Sequence, residues 1–296
     1  MVVLLHSVNW LRDPTRWRLI RNCLSHIDGP KVWFLINEFR AVGTQLLQAT
    51  RAGATVIASQ LPADVAQDFI GPHFSGRVID MPHALDAGFF RPGPQIKDRP
   101  LDIGFRGGSY PEYVGHNDRE LLFDLSRICA SRLNLRVDVK AERLESDDEW
   151  RSFLGHCRAV VGHEAGADYL DMDDSIRDTI NRLYGKLSSA ELLELAKYLI
   201  AHVRPALRLS GRIVAPRSFD AIGTKTCQLL FPGRYNDLLE PNIHYIRLER
   251  DFSNLDEVTL RLRDDDYLQR LADHAYEWAM DSQTYAHRVS RLLAFL

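Results

Sequence analysis

The chain has 296 residues, of which 45% are hydrophobic and 26% charged, and its formal net charge is −3. This balance is typical of a folded chain with one large domain or two of ordinary size, and it excludes a disordered one. The small negative charge does not indicate nucleic-acid binding, and we expect none.

Isolated cysteines and a short apolar start narrow the class of protein further. The cysteines form no CxxC pair and have no histidine at metal-ligand spacing, which favours reduced thiols and argues against a zinc site. They are Cys23, Cys129, Cys157 and Cys227. The apolar start, VVLL, ends at His6 and is too short for a signal peptide or a membrane span. We expect a cytoplasmic protein, with peripheral association at the inner face of a membrane left open.

The first 80 residues alternate between short apolar runs and longer amphipathic segments. The apolar runs are predicted strands at residues 2–5, 32–36, 55–58 and 77–79. Continuous apolar strands separated by helices indicate a parallel sheet covered on both faces. The segment FFRPGPQIKDRP, residues 89–100, breaks every periodicity and predicts a linker. The first domain is therefore assigned to residues 1–92 and the linker to residues 93–100.

The strand–helix alternation restarts after the linker and defines a second domain at residues 101–280. Strands are expected at 101–106, 135–139, 158–162 and 226–231, and helices at 117–132 and 145–154. Residues 165–210 are largely helical and interrupt the alternation. Residues 188–203 there form the clearest amphipathic helix, with a serine N-cap. Helices near 256–263, 265–281 and 283–295 close the chain, and residues 281–296 are expected to pack back on the first domain.

The loop after the first strand of the second domain, DIGFRGGSYPEYVGHNDRE, could bind phosphate. Gly104, Gly107 and Gly108 allow close approach of a backbone to a ligand, and Arg106 could neutralise a diphosphate. A plain tight turn explains the glycines equally well.

A second polar element, VVGHEAGADY, follows the predicted strand at residues 158–162. His163 and Glu164 come where that strand ends, at the edge of the sheet that binds ligands. A carboxylate there can accept hydrogen bonds from sugar hydroxyls. Capping of the next helix by Glu164 is the competing interpretation.

A third polar element, PRSFDAIGTKT, opens a short helix and precedes the strand at 226–231. Asp220 could accept a bidentate bond from ribose hydroxyls, or could merely offset the helix dipole. Arg217 lies three residues earlier and could contact a phosphate or pair with Asp220. Thr224 and Thr226 could bind phosphate or be ordinary turn and strand residues.

The order of these motifs resembles GT-B glycosyltransferases of the family-4-like group and the CgeB-like glycosyltransferases. The similar stretches are GFRGG, VVGHEAGA, PRSFDAIGTKTCQLLFPG, LLEPNIHYIRL and the tail DSQTYAHRVSRLL, and together they cover residues 100–296. The resemblance implies an α/β fold of two Rossmann-like parallel-sheet domains, with a helical insertion in the second domain and C-terminal crossing helices.

The resemblance also implies roles for individual residues. Members of the group carry a Glu-x7-Glu motif, whose first acid contacts the donor sugar and whose second contacts the ribose. Asp220 stands for the second acid, but the position eight residues earlier is Arg212. We therefore expect a divided motif in which Glu164 is the first, catalytic acid and residues 165–210 are an insertion. Arg106 and Arg217 resemble the diphosphate contacts, and two residues, Glu240 and His244, stand where the family closes over the donor.

The first domain departs from the family because it is several tens of residues shorter. It is either minimal or lacks its first strand–helix units. His6, Ser7, Asn37 and Glu38 follow the first two predicted strands and could line the acceptor side. His6 and Glu38 are the candidate general acid or base groups.

The resemblance implies a hexosyltransferase-like enzyme that moves a sugar from a nucleotide-diphosphate donor to a glycan, lipid-linked sugar or protein, as in cell-surface polysaccharide biosynthesis. We expect no cofactor and no metal, because Asp171, Asp173 and Asp174 suggest a solvated helix start rather than a metal-binding motif. The linker would allow domain closure over the donor. A sugar-nucleotide epimerase of the same architecture and a degenerate module without catalysis are the alternatives.

Overall fold

The computed structural model describes residues 1–4, 14–202 and 209–296. Within these ranges the chain forms two parallel β-sheets, one of four strands and one of five, with helices packed against them. The prediction of two Rossmann-like parallel-sheet domains is confirmed.

The first domain is a four-stranded sheet with the strand order β1-β2-β3-β4. Its elements are β1 (Val2–Leu4), α1 (Pro14–Ser25), β2 (Lys31–Phe34), α2 (Val42–Arg51), β3 (Val56–Ser59), α3 (Ala63–Ile70) and β4 (Arg77–Asp80). The central strands are covered on both faces, and neighbouring residues such as Val32 and Trp33 are therefore both fully buried.

The second domain carries a five-stranded sheet with the order β6-β5-β7-β8-β9. In chain order, the domain and the end of the chain comprise β5 (Leu101–Arg106), α4 (Asp118–Arg132), β6 (Val137–Lys140), α5 (Asp147–His156), β7 (Cys157–Gly162), α6 (Ser175–Asn181), α7 (Ser189–His202), α8 (Pro216–Gly223), β8 (Cys227–Leu230), β9 (Ile246–Arg247), α9 (Leu255–Leu262), α10 (Asp265–Ser282) and α11 (Tyr285–Phe295). The chain turns to β6 on one side of β5 and to β7 on the other. This reversal creates a crevice between the carboxyl ends of β5 and β7, where open α/β sheets bind ligands.

The helical excursion between β7 and α8 is closed at its base by a short bridge. The backbones of Ala165 and Ile213 exchange two hydrogen bonds, each of 2.9 Å. Helices α6 and α7 lie within the excursion, as the predicted insertion requires. Leu170 and Ile213 pack into the hydrophobic core of the first domain, so the excursion also joins the two domains.

Of the aspartates at the predicted solvated start of α6, Asp173 is exposed, but Asp171 is buried. Asp171 is only 2% exposed and accepts hydrogen bonds from the hydroxyl of Ser175 and the backbone N–H of Ile176. These bonds satisfy donors in the first turn of α6. Asp171 therefore stabilises the insertion.

Helix α11 crosses back from the second domain to the first. Leu292 is buried against the sheet of the first domain, and Arg288 Nε donates to the carbonyl of Pro82 at 3.1 Å. Arg77 of β4 donates in turn to the carbonyl of Phe295 at 2.7 Å. The expected C-terminal crossing helix is confirmed.

Two further sequence-based expectations concern the cysteines and the membrane. All four cysteines are free thiols, and three are buried while Cys23 is exposed. None of the helices in the described ranges is long and apolar enough to cross a lipid bilayer.

Candidate functional site

A cleft of about 590 Å³ lies between the carboxyl ends of the two sheets. Its walls are the segments that follow β2, β3 and β4 in the first domain, those that follow β5 and β7 in the second, and the first turn of α8. A smaller cavity of about 50 Å³ shares Tyr110, Arg119 and Arg217 with the cleft and reaches Gln228 on β8. The cleft includes the crevice between β5 and β7 that the sheet order predicts.

Arg119 and Arg217 line this cleft, and neither forms an ion pair with a carboxylate of the described residues. Arg119 donates to the carbonyl of Gly108, and its guanidinium carbon lies 3.8 Å from the ring centroid of Tyr110. Its Nε has no hydrogen-bond partner within residues 1–4, 14–202 and 209–296. Arg217 donates to the carbonyl of Arg106. Burial and the charge of Arg119 lower the pKa of Arg217. Two half-buried cations without an ion-pair partner among the described residues favour an anionic ligand.

The first turn of α8 adds a second source of positive potential at the same place. Pro216 occupies the first helical position, where a missing N–H costs nothing, and Ala215 before it provides no side-chain cap. The uncapped N–H groups and the helix dipole favour a negative ligand at this end. Arg143 also lines the cleft nearby. A diphosphate matches this arrangement in charge.

Asp220 lies one turn into α8 and remains partly exposed. Its Oδ2 accepts a hydrogen bond from the indole Nε1 of Trp150 at 2.9 Å. Burial raises the pKa of Asp220 to about 7, against the opposing effects of Trp150 and Arg217. The carboxyl group is thus placed near the arginines and titrates near neutrality.

His163 and Glu164 follow β7 and are both buried. His163 lines the smaller cavity, and burial lowers its pKa to about 3, so its imidazole is neutral at pH 7. Glu164 Oε1 accepts the backbone N–H of Tyr235 at 2.6 Å, and burial raises the pKa of its carboxyl group. Among the described residues, no hydrogen bond or ion pair links Glu164 with Asp220. The divided acidic motif stays a prediction.

Arg212 occupies the position where the resemblance expects the first acid of the motif. Its guanidinium donates to Asp118 and to Asp168, each at 2.7 Å, and Asp118 also accepts from Arg250 at 3.0 Å. Asp118 is 2% exposed, so an acid at position 212 would face one buried carboxylate as well as the partly exposed carboxylate of Asp168. The buried ion network therefore explains why this position carries a cation.

The first domain contributes a polar wall to the same cleft. Glu38 is 4% exposed; its Oε2 accepts the backbone N–H of Gln60 at 3.0 Å, while its Oε1 has no hydrogen-bond partner in the described part of the chain. Burial raises the pKa of Glu38 to about 7. The Gln60 side-chain amide lies 3.1 Å from His83 Nε2, and all three residues line the cleft. This wall can bind hydroxyl groups and exchange protons with them.

Comparisons with solved structures identify the architecture. An alpha-glucosyltransferase in complex with UDP-glucose and DNA containing an abasic site matches with a TM-score of 0.57 and 9% identity, over 97% of this chain and 77% of that one. HepE of Anabaena in complex with UDP-glucose matches with a TM-score of 0.50 and 12% identity, over 90% and 72% of the two chains. TarM matches with a TM-score of 0.51 and 10% identity, over 91% and 50%. This chain has the GT-B fold.

The GT-B likeness extends to the fold and no further. No protein-family model and no curated protein matches the sequence. The chain spans half of the length of TarM. The expected relationship to the CgeB-like group therefore stays a prediction.

Two of the predicted phosphate-loop residues have other roles in this GT-B domain. Arg106 is not among the residues that line the cleft; its Nη2 lies 2.5 Å from Asp138 Oδ2, and its guanidinium carbon lies 4.2 Å from the ring centroid of Phe153. Gly104 lies within β5, where a Cβ would overlap Phe153 and Cys157. Its small size allows α5 to pack on the sheet. Arg106 stabilises β5 and β6 instead of facing a diphosphate.

The other two glycines of the loop border the arginines. Gly107 has a φ of 156°, and a Cβ there would lie 3.0 Å from Arg217 Nη1. The carbonyl of Gly108 accepts from Arg119. Gly107 therefore leaves room for the Arg217 guanidinium, whereas a Cβ at Gly108 would meet nothing within 4 Å. The position of both arginines beside this loop is consistent with the predicted location of a phosphate-binding loop.

Thr224 and Thr226 lie at the opposite edge of the GT-B sheet from the cleft. Thr226 precedes β8, and helix α8 runs back from the carboxyl edge to the amino edge, where Thr224 follows it. Arg99 binds both, donating to the Thr226 hydroxyl at 2.6 Å and to the Thr224 carbonyl at 2.9 Å. The expected phosphate contacts of these threonines are excluded by this position.

Glu240 and His244 also lie away from the cleft lining. His244 accepts the backbone N–H of Glu240 at 3.0 Å, and its ring centroid lies 4.2 Å from that of Trp278 in α10. The pair thus shapes the loop before β9 and packs it on α10. His6 and Ser7, which were predicted on the acceptor side, lie outside the described residues.

The sequence reading missed Arg119 and Trp150. Arg119 stands in the first turn of α4, where the helix dipole favours acids, so a cation there is a signal for an anionic ligand. Trp150 has no comparable signal, because its partner Asp220 is 70 residues away in sequence. Gln60 and His83 have no such signal either, because they are 23 residues apart in sequence and meet only in the folded chain.

Proposed function

We propose that this protein is a glycosyltransferase that binds a nucleotide-diphosphate sugar in the cleft between its two domains. The observation that carries the proposal is a pair of arginines, Arg119 and Arg217, that form no ion pair with any described residue and lie beside the uncapped first turn of α8. Both lie at the reversal point of the GT-B sheet, where nucleotides bind in such folds. The structural neighbours HepE and the alpha-glucosyltransferase were solved with UDP-glucose.

In the proposed reaction, the bond between the sugar and the diphosphate breaks, and an acceptor oxygen bonds to the sugar. Arg119 and Arg217 would stabilise the negative charge that develops on the departing diphosphate. Asp220 would accept hydrogen bonds from the ribose hydroxyls. Because the arginines supply the positive charge, we propose that the reaction needs no metal ion.

The acceptor would lie against the wall of the first domain. Glu38, Gln60 and His83 offer a carboxyl group, an amide and an imidazole to an acceptor hydroxyl. A carbohydrate or lipid-linked sugar has such hydroxyls. Glu38 is the candidate for receiving the acceptor proton, since its pKa of about 7 suits proton exchange at neutral pH.

Calorimetric titration with UDP-, GDP- and CMP-linked sugars tests the proposal. Arg119→Ala and Arg217→Ala should each weaken binding of the accepted donor by about tenfold or more, since a charge-assisted contact is lost. Arg127→Ala is the matched control, because Arg127 lies on the same helix as Arg119 with a 78% exposed side chain. Absence of binding to every donor would reject the proposal.

Activity measurements distinguish the proposed glycosyltransferase from the two alternative functions. Transfer of sugar to an acceptor with EDTA present supports a metal-independent glycosyltransferase. Donor binding without turnover would support the degenerate module instead. Epimerised or free sugar in the absence of an acceptor would support an epimerase.

A further inference from the structure

Trp150 contacts two residues of the proposed donor site at once. Its indole Nε1 donates to Asp220 Oδ2 at 2.9 Å, and the Arg217 guanidinium carbon lies 5.2 Å from the ring centroid. Arg217 and Asp220 are three residues apart on α8 and share a face of that helix. One side chain of α5 thus contacts both the expected diphosphate ligand and the expected ribose ligand.

The orientation of Trp150 is itself fixed by its surroundings. Its ring stacks on Phe153, with centroids 5.9 Å apart and planes inclined by 22°. The first turn of α5 is capped by Ser146, whose hydroxyl accepts the backbone N–H of Glu149 at 3.2 Å. A stacked ring on a capped helix presents its N–H in one direction only. Asp220 therefore has a rigid hydrogen-bond donor.

We propose that Trp150 is a positioning residue of the nucleotide-sugar site. Its N–H orients the Asp220 carboxylate toward the ribose, and its ring supports the Arg217 guanidinium against the diphosphate. This inference rests on the proposed function and extends it to nucleoside recognition. Contacts that hold the Asp220 and Arg217 side chains in place reduce the freedom that ligand binding would otherwise have to restrict.

Two substitutions separate the two contacts of Trp150. Trp150→Phe keeps an aromatic face for Arg217 and removes only the N–H. Trp150→Leu removes both. The probes are the nucleotide sugar that the wild-type protein binds in the titration panel and the corresponding free nucleoside.

Trp150→Phe should weaken binding of the nucleoside and of the nucleotide sugar by about the same factor, roughly tenfold, because only the ribose contact is disturbed. Trp150→Leu should weaken binding of the nucleotide sugar more than binding of the nucleoside. The reason is that the Arg217 guanidinium loses the aromatic ring on which it lies. The pH midpoint of affinity should also move upward in Trp150→Phe, since the lost hydrogen bond favours the ionised carboxylate.

Trp278→Phe is the matched control. Trp278 of α10 stacks on Phe219, which lies on α8 with Arg217 and Asp220, and the ring centroids are 6.4 Å apart. This control variant should leave affinity and the pH midpoint unchanged. In the double variant Trp150→Phe/Asp220→Ala, where position 220 has no acceptor for the indole N–H, affinity should be no weaker than in Asp220→Ala alone. Wild-type affinity and pH midpoint in Trp150→Phe would overturn the inference, whereas a wild-type protein that binds no donor would reject the proposed function instead.

Discussion

Asp174 of the helical insertion accepts a hydrogen bond from the backbone N–H of Ala41 in the first domain, with 2.7 Å between Oδ1 and N. Ala41 immediately precedes α2, so a carboxylate of one domain caps a helix of the other. Leu170 and Ile213 extend this junction into the core of the first domain. The domains are therefore joined here as well as through the linker and α11. Closure about residues 89–100, as the sequence suggests, would have to disturb buried contacts.

Asp174→Ala should destabilise the protein by about 1 kcal/mol, the usual loss when a helix cap is removed. Urea unfolding measures the change. Asp174 and Asp178 each form an ion pair with Arg177 at 3.2 Å. Asp178→Ala is therefore the matched control, because its side chain is 53% exposed and contacts Arg177 without bonding to the first domain. Exposed ion pairs contribute little, so this variant should unfold like the wild type. Equal midpoints for both variants would contradict an interdomain cap.

Asp118→Asn should lower the free energy of unfolding far more than Asp174→Ala does. The substitution leaves Arg212 and Arg250 without the buried carboxylate that they share. Breaking a buried pair of this kind costs about 3–5 kcal/mol. The comparison is Asp124→Asn on the same helix, where the ion pair with Arg127 is solvent-exposed and should contribute less than about 1 kcal/mol. Denaturant unfolding at pH 7 distinguishes the two. A loss below about 1 kcal/mol for Asp118→Asn would show that the network is not a stabilising element.

Periodicity in the sequence predicts the strands well because buried parallel strands are continuous apolar runs. Leu101–Arg106 and most neighbouring elements lie within a few residues of the predicted bounds. The direction of a polar side chain at a strand end is harder to predict. Arg106 was expected in the site because it precedes two glycines, yet its partner Asp138 comes from the neighbouring strand 32 residues later.

Contacts between residues far apart in sequence account for the other differences between the predicted site and the structure. The expected positions of Glu38 and Arg217 at one cleft follow from the sheet order, which the alternation of elements predicts. Asp220 lies further along α8 and is not among the residues that line the cleft. The pairing of Arg212 with Asp118 spans 94 residues and depends on the folded insertion. No local pattern encodes such a contact. The position of Thr226, in contrast, can be predicted from the sequence. Thr226 precedes a parallel strand and therefore lies at the amino edge of the sheet, away from the cleft.

Glu38→Gln should remove a pH-dependent loss of stability. Burial raises the pKa of Glu38 from 4.5 to about 7, so the folded protein binds an extra proton between these values. The free energy of unfolding of the wild type therefore falls as the pH rises through this window, by roughly 3 kcal/mol at most. A glutamine keeps an oxygen for the N–H of Gln60 and carries no charge. In urea unfolding, the free energy of unfolding of the variant should exceed that of the wild type chiefly at pH 8. An equal difference at pH 5 and pH 8 would show that ionisation of Glu38 is not the cause.

Donor affinity should rise with pH between 6 and 8 because Asp220 ionises in this range. Its pKa of about 7 follows from burial, and a charged carboxylate binds ribose hydroxyls more strongly than a neutral one. The ionised fraction grows from about one tenth to about nine tenths, so affinity should increase by up to roughly tenfold. His163 stays neutral throughout, because burial lowers its pKa to about 3.

Calorimetric titration of a nucleotide sugar across this pH range measures the effect. A nucleotide sugar is preferable to a free diphosphate, because its phosphates do not titrate between pH 6 and 8. Asp220→Asn keeps the size of the side chain and the acceptor for Trp150, and its affinity should be low and independent of pH. Persistence of the wild-type pH dependence in this variant would place the titrating group elsewhere in the cleft, with Glu38 as the next group to test.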